Sequence, residues 1–496
     1  MRADLLMKQA LVIGGGFGGM AAALRLRAKN YEVTLVDRSP MLGGRGQVFI
    51  RNGFKHDAGP TVITAPFLFE ELFALYNEKL ADHITLVPLT PWYRFYFSDK
   101  TSFDYGGTLE DTLAEIAKIS PKDVDGYRRL LEHSQNIFNI AFVQLSSVPF
   151  NRFFKMLALV PKLITLKSYD TVWRMVCRYL KNEKLRQAFS IQPLLVGGNP
   201  FSTTSIYGLI HYLERAYGVF FAMGGTGAIV NALADLMKRN SIEIRLNTTV
   251  KKVVIEDGCA KKVIFDDGTS QSVDLIVSNA DPTYLYENMI DQHEIAITTK
   301  FKLKVAHYSM GLFVVYFGST KKYDDVAHHT IWLGKTYQAL LHNIFDKKIL
   351  SDDFSLYLHR PTATDDSFAP TGCDSFYVLC PVPNLQGNVH WKQEGDQLKN
   401  RIIEALDQTI LPDLKQHIVE DFYMSPEDFK DNYLSNHGAG FSIAPIFRQS
   451  AWFRFHNQSE KIKNLYVVGA GTHPGAGLPG VLCSAKVIDS MIPKAS

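Results

Sequence analysis

The chain has 496 residues and a net charge of +3, too long for one simple core and too balanced to need a strongly acidic or basic partner. Its 46% hydrophobic and 12% aromatic residues suit a globular protein of about two domains, or one large discontinuous one, and no basic tail or RNA-type motif points to nucleic acid. The five cysteines, Cys177, Cys259, Cys373, Cys380 and Cys483, are scattered and form no Cys-x-x-Cys pair, which argues against a disulfide framework or structural zinc and fits a reducing compartment.

The first element is an apolar strand, Ala10, Leu11, Val12 and Ile13, that stops at glycines and so makes no secretory leader. Gly14, Gly16 and Gly19 then satisfy G-x-G-x-x-G, with Phe17 and Gly18 between them. The first glycine permits a tight turn, the second lets backbone approach a pyrophosphate, and the third lets a helix pack closely on the strand. That helix, expected over 20–29, points its positive end at the phosphates. The next strand, 31–37, ends in Asp37, 23 positions beyond Gly14 and followed by Arg38. A carboxylate there accepts ribose hydroxyls and repels a 2′-phosphate. Downstream, Gly43 and Gly44 allow close approach, Arg45 offsets phosphate charge, and Gly59, Pro60 and Thr61 form a second turn.

Residues 76–221 have mostly helical periodicity. Two stretches, 134–151 and 188–210, carry no charge, yet neither is apolar enough to span a bilayer. Within 134–169 the cations Arg152, Lys155, Lys162 and Lys167 stand among Phe138, Phe142, Phe150, Phe153, Phe154 and Ile164, with no acidic residue. Cations beside rings and aliphatics suit a membrane surface; they equally suit a core helix pair with solvated lysines. The charge-free stretch 188–210 suits the wall of an apolar tunnel or a plain core.

Past Gly224, Gly225 and Gly227, Val230 stands where a third motif glycine would fall. A strand pattern runs over 243–254, and turns at Asp257, Gly258 and at Asp267, Gly268 suggest a strand pair over 250–274. Runs at 311–317 and 375–380 suggest a sheet within 299–454. His328 and His329 are adjacent, and adjacent positions on a strand or helix point apart, so no metal site is expected. A last strand from Leu465 leads into Gly469, Gly471, Gly475, Gly477 and Gly480, with a helix expected over 481–491. The literal G-x-G-x-x-G at 475, 477 and 480 lies six residues past the strand end, with Pro479 before its last glycine. No acid-ended strand follows. One dinucleotide held from both ends of the chain is therefore expected, a tightly held flavin rather than an exchanging nicotinamide.

Gly43, Gly44 and Arg45, the run 57–61, the runs 194–201 and 223–228, Ser278 to Asp281, 353–359, 449–453 and 469–480 together resemble the flavin-dependent amine oxidase and carotenoid desaturase superfamily, specifically the bacterial phytoene desaturases. The resemblance covers nearly the whole chain. It implies FAD held by Gly14, Gly16, Phe17, Gly18, Gly19, Asp37, Arg38, Gly44, Arg45, Gly59, Pro60 and Thr61. It also places Val250 on the adenine side, and Asp281, Gly471, Thr472, Gly480 and Val481 on the phosphate and flavin side. The implied fold is α/β: a discontinuous Rossmann-type FAD-binding domain (8–75, 222–283 and 455–492) with an α+β substrate domain and a helical membrane-associating part (76–221 and 284–454).

The implied activity is dehydrogenation of phytoene, a long acyclic polyene hydrocarbon, in steps toward lycopene, one hydrogen leaving as hydride to the flavin and one as a proton. A substrate without a polar handle is recognised by tunnel shape and apolar burial. Oxygen and a membrane quinone both suit as electron acceptor, and the implied location is the cytoplasm, attached peripherally to the inner face of the cell membrane. A sister desaturase or oxygenase on another polyene, a flavin amine oxidase, and a prenyl-lipid carrier of the GDP-dissociation-inhibitor type remain alternatives. No catalytic base stands out; for His473, in the tail motif, a structural role and a proton relay both fit.

Overall fold

Three distant stretches of chain meet in one parallel sheet. Its strands run in the order Leu465–Val467, Leu275–Ser278, Gln9–Ile13, Glu32–Val36, Glu243–Arg245. Ala10 lies opposite Leu275 and Val33, and Ile276 opposite Leu465. The central strands are almost continuously apolar because both faces are covered, as a parallel sheet requires. The computed structural model describes residues 7–151, 153–157 and 159–495. Arg152, and the side chains of Phe154 and Lys155, lie outside the described residues.

Helices Phe17–Ala28 and Leu478–Met491, from opposite ends of the chain, contribute to one apolar core together with Gly225–Arg239. Small residues make this close fit possible: a Cβ at Gly19 would fall 1.9 Å from the Gly14 carbonyl oxygen. Both helices begin where their strands hand over to glycines, so their first turns face the same space.

A second sheet has seven strands, in the order Ile418–Met424, Gly311–Ser319, Asp374–Val382, Leu356–His359, His329–Trp332, Tyr93–Tyr96, Ser102–Tyr105. The runs expected to form a sheet pair directly, Phe313 opposite Cys380 and Phe317 opposite Phe376. Helices Val124–Phe138, Val172–Tyr179, Glu183–Ser190 and Leu209–Tyr217 build the expected helical part, which packs against the Tyr93–Tyr96 end of this sheet. Among the described residues no helix is long and apolar enough to cross a membrane.

Several boundaries differ from the sequence reading. The strand expected over 243–254 is two strands in different sheets, Glu243–Arg245 in the parallel one and Val250–Glu256 in an antiparallel one. Asn247, at φ 51°, turns the chain between them. The hairpin over 250–274 gains a third strand, Ser270–Ser272, after the turn at Gly268. The final helix starts at Leu478 rather than 481, because Pro479 falls in the first turn, where its missing N–H costs nothing.

Candidate functional site

The two glycine segments touch. A Cβ on Gly18 would sit 3.4 Å from Gly469 Cα, and within the head region Gly43 N donates to the Gly15 carbonyl at 2.9 Å. Asn279, at the end of the neighbouring strand, lies between them: the same Cβ would meet its Oδ1 at 2.6 Å. Gly14 (φ 94°), Gly43 (φ 105°) and Gly469 (φ 98°) adopt backbone that other residues rarely reach.

Around this junction opens one cavity of about 570 Å³, within the range of small-molecule sites. Gly14, Gly16, Phe17, Gly18, Asp37, Arg38, Gly44, Arg45, Gly59, Pro60, Thr61, Val250, Asp281, Gly471, Gly480 and Val481 all line it. Gly19 and Thr472 stand one layer behind. Gly19 packs helix on strand, and Thr472 Oγ1 donates to the Gly469 carbonyl at 3.0 Å, closing the turn at whose end Gly471 meets the cavity.

The polar end has the donors and acceptors that a dinucleotide needs. Asp37 Oδ2 accepts from Gly15 N at 2.6 Å and Oδ1 from Ser39 N at 2.7 Å. Each oxygen keeps a lone pair for a hydroxyl. Burial raises the Asp37 pKa, and the Ser39 and Gly15 N–H groups hold part of that rise back. Arg45 donates to Ser435 Oγ, leaving guanidinium N–H groups for an anion. Burial lowers the Arg45 pKa while Asp281 counters it. Asp281 accepts from Thr283 N through Oδ1, and its other oxygen is buried without a partner among the described residues. Helix Phe17–Ala28 has no side-chain cap and no acid in its first turn, so its N-terminus is free to face a phosphate. An unpartnered carboxylate oxygen, an available guanidinium and a glycine cradle fit FAD.

The other end is aliphatic. Ile140, Phe142, Leu145, Leu194, Leu195 and Leu209 line it, so the two charge-free stretches do face a cavity. Glu214 is the exception, a buried carboxylate accepting from Tyr93 Oη at 2.8 Å with its second oxygen unpartnered. Burial pushes its pKa up to about 7. Sequence reasoning passed over it, although it is the first charged residue after the neutral run 188–210.

Arg454 was also missed, the one cation in an otherwise uncharged run, 449–459. Fully buried, it donates to the carbonyls of Thr472 (2.9 Å), Ala470 (2.6 Å) and Gln449 (3.2 Å), shaping the tail loop from behind. Asn457 assists by donating to the His473 carbonyl at 2.9 Å. His473 itself donates through Nε2 to the Leu145 carbonyl at 2.9 Å and packs edge-on against Phe150. Its pKa falls to about 4 through burial, so it is a neutral strut between the tail loop and the helical part.

Outside the cavity, Val143, Leu157, Ile164 and Tyr169 are exposed, and Ile164 keeps 58% of its surface. Their neighbours Met156, Leu159 and Leu163 line the cavity's inner side. Helix Ile297–Val305 adds a second apolar face that periodicity did not reveal, Ile297, Phe301 and Val305 at four-residue spacing. The two regions meet at Trp452, which packs on Phe153 at 4.9 Å and under the Lys302 ammonium at 5.3 Å.

The model of the flavin containing amine oxidoreductase family matches residues 17–486. A phytoene desaturase (lycopene-forming) of Pseudescherichia vulneris is 44% identical over 488 residues, covering 98% of this chain and 99% of its own. A phytoene desaturase (neurosporene-forming) of Rhodobacter capsulatus is 40% identical, covering 99% and 94%. Among solved structures, an oxidoreductase from Methanosarcina mazei superposes with a TM-score of 0.66 at 16% identity, over 97% of this chain and 100% of that one. Putrescine oxidase bound to putrescine gives 0.66 at 11% identity, over 98% and 99%. At that identity these two report the fold alone. The relatives and the family model agree over nearly the full length, and the chain belongs to the flavin-containing amine oxidoreductase family.

Proposed function

We propose that this protein is an FAD-dependent desaturase that dehydrogenates phytoene stepwise toward lycopene. The observation that carries this reading is one cavity lined both by the glycine cradle with Asp37 and Arg45 and by a run of leucines. The lycopene-forming relative at 44% identity supports the same substrate.

FAD, when bound, supplies a hydride acceptor. Gly14, Gly16, Gly18, Gly44 and Arg45 would hold its phosphates, Asp37 its ribose, and Gly471, Gly480 and Val481 its flavin side. The pieces 8–75, 222–283 and 455–492 would act as the cofactor domain, and the remainder as the substrate domain. The aliphatic wall orients a hydrocarbon by shape and excludes water, which strengthens every charge interaction inside. Glu214, buried in that wall and ionised above about pH 7, is the acid nearest to hand for a proton leaving the substrate. Tyr93 stabilises that carboxylate through its hydrogen bond.

The exposed side chains Val143, Leu157, Ile164 and Tyr169 and the face of Ile297, Phe301 and Val305, flanked by Lys162, Lys300 and Lys304, would dock on the inner leaflet and pass phytoene inward. Anaerobic mixing of the FAD-loaded protein with phytoene-containing liposomes tests the reading. Oxidised-flavin absorbance should bleach and a coloured polyene should form, and adding oxygen or a quinone should then restore turnover with the true acceptor. Flavin that stays oxidised with phytoene yet bleaches with an amine would refute it.

A further inference from the structure

Beside the cavity, behind its wall, three histidines and a carboxylate lie close together with several of their hydrogen-bonding atoms unused. His329 and His359 are cross-strand partners, and His328 precedes its strand, so the rule that neighbouring side chains point apart does not govern it. The rings of His328 and His329 lie 4.7 Å apart, and those of His328 and His359 4.8 Å. One ligand nitrogen from each of the three falls within 4.8 Å of the others. Asp57 Oδ2 comes within 3.5 Å of His359 Nε2. All four residues are buried.

The outer nitrogens are already engaged. His328 Nδ1 pairs with Thr364 Oγ1 at 2.7 Å, and His329 Nδ1 with Tyr357 Oη at 2.8 Å. Such bonds fix the ring orientation and leave the opposite nitrogen basic, as around metal-bound imidazoles. Among the described residues, the inward atoms His328 Nε2, His329 Nε2, both His359 nitrogens and Asp57 Oδ2 have no hydrogen-bond partner. Buried polar groups are rarely left so. The nearby Arg360 is paired with Asp374 at 3.0 Å and Asp324 at 3.1 Å, so its charge is already met.

We infer that His328, His329 and His359 form a structural zinc site, with Asp57, which stands next to His359, drawn in as the fourth ligand. Three neutral imidazoles and one carboxylate suit a d¹⁰ divalent ion without redox chemistry, in a closed tetrahedral shell. Tetrahedral ligand atoms at zinc bond lengths stand roughly 3.3 Å apart, so loading draws the widest histidine pair inward by up to about 1.5 Å, shared between two rings, and brings Asp57 in toward them. The site has a consequence for the cavity. Asp57 leads into Gly59, Pro60 and Thr61, and Tyr357 Oη, held by His329, also bonds Thr61 Oγ1 at 2.6 Å. The ion would clamp the turn that faces the cofactor to the seven-stranded sheet.

The test is metal content of the full-length flavoprotein, purified without a polyhistidine tag or chelator from zinc-supplemented cells. About one zinc per chain is expected, falling to trace in His359→Gln and in His328→Gln. Protein grown with cobalt should show the visible bands of tetrahedral cobalt beyond the flavin absorbance. Dipicolinate should lower the melting temperature of the wild type and leave that of His359→Gln unmoved. Should either variant fail to fold, the wild-type zinc content and cobalt spectrum decide alone. Trace metal in the wild type with no cobalt spectrum overturns the site, as does zinc that stays equal in well-folded variants.

Discussion

Replacing Glu214 by Gln isolates the electrostatic cost of one buried acid in the apolar end of the cavity. Its side chain is 1% exposed in residue terms, and its pKa is pushed up from 4.5 to about 7 by burial. The folded protein therefore keeps this proton to about pH 7, whereas the unfolded chain releases it near 4.5. Below the lower value the group costs nothing; as pH rises through the upper one, the stability linked to the bound proton is lost. Between pH 5 and 8 the loss is about 2.5 kcal/mol, from 1.36 kcal/mol per pKa unit of difference. Glutamine cannot ionise, so the wild type minus variant difference should change by that amount across the window. For a chain this long the change corresponds to about 2 °C in melting temperature. Differential scanning fluorimetry of both proteins, with saturating FAD at several pH values, measures it. A difference that stays flat from pH 5 to 8 would refute the assignment of a buried, proton-holding Glu214.

Three further outcomes follow from the packing. Gly19→Ala places a Cβ 1.9 Å from the Gly14 carbonyl oxygen, an overpacking worth about 1–3 kcal/mol; the FAD-to-protein absorbance ratio after gel filtration should fall sharply. Arg454→Met leaves the buried carbonyls of Ala470, Thr472 and Gln449 without their donor, at roughly 1–3 kcal/mol for an unsatisfied group; FAD affinity should weaken by tenfold or more in titration, with the secondary structure unchanged by circular dichroism. Ile164→Asp combined with Phe301→Asp should abolish co-sedimentation with anionic liposomes while leaving FAD bound, since both side chains are more than half exposed. Undiminished sedimentation would remove these faces from the docking surface.

The glycine spacing at 14, 16 and 19, the acid at 37 and the tail glycines at 469–480 announced the dinucleotide cradle, because only residues lacking a Cβ tolerate such approach. Local rules sufficed there: each feature lies within a few residues of the turn that it shapes. Periodicity placed the strands Gly311–Ser319 and Asp374–Val382 for the same reason. It misplaced the break at Asn247, where a single left-handed residue sends one apparent strand into two sheets. Pairings between separate elements were beyond it: the strand register that sets His329 against His359, the approach of Asp57 to His359, and the carbonyls gathered around Arg454. Composition alone also left 188–210 as either core or tunnel wall. That choice belongs to the tertiary structure, because an apolar side chain looks the same in sequence whether it meets another side chain or an open cavity.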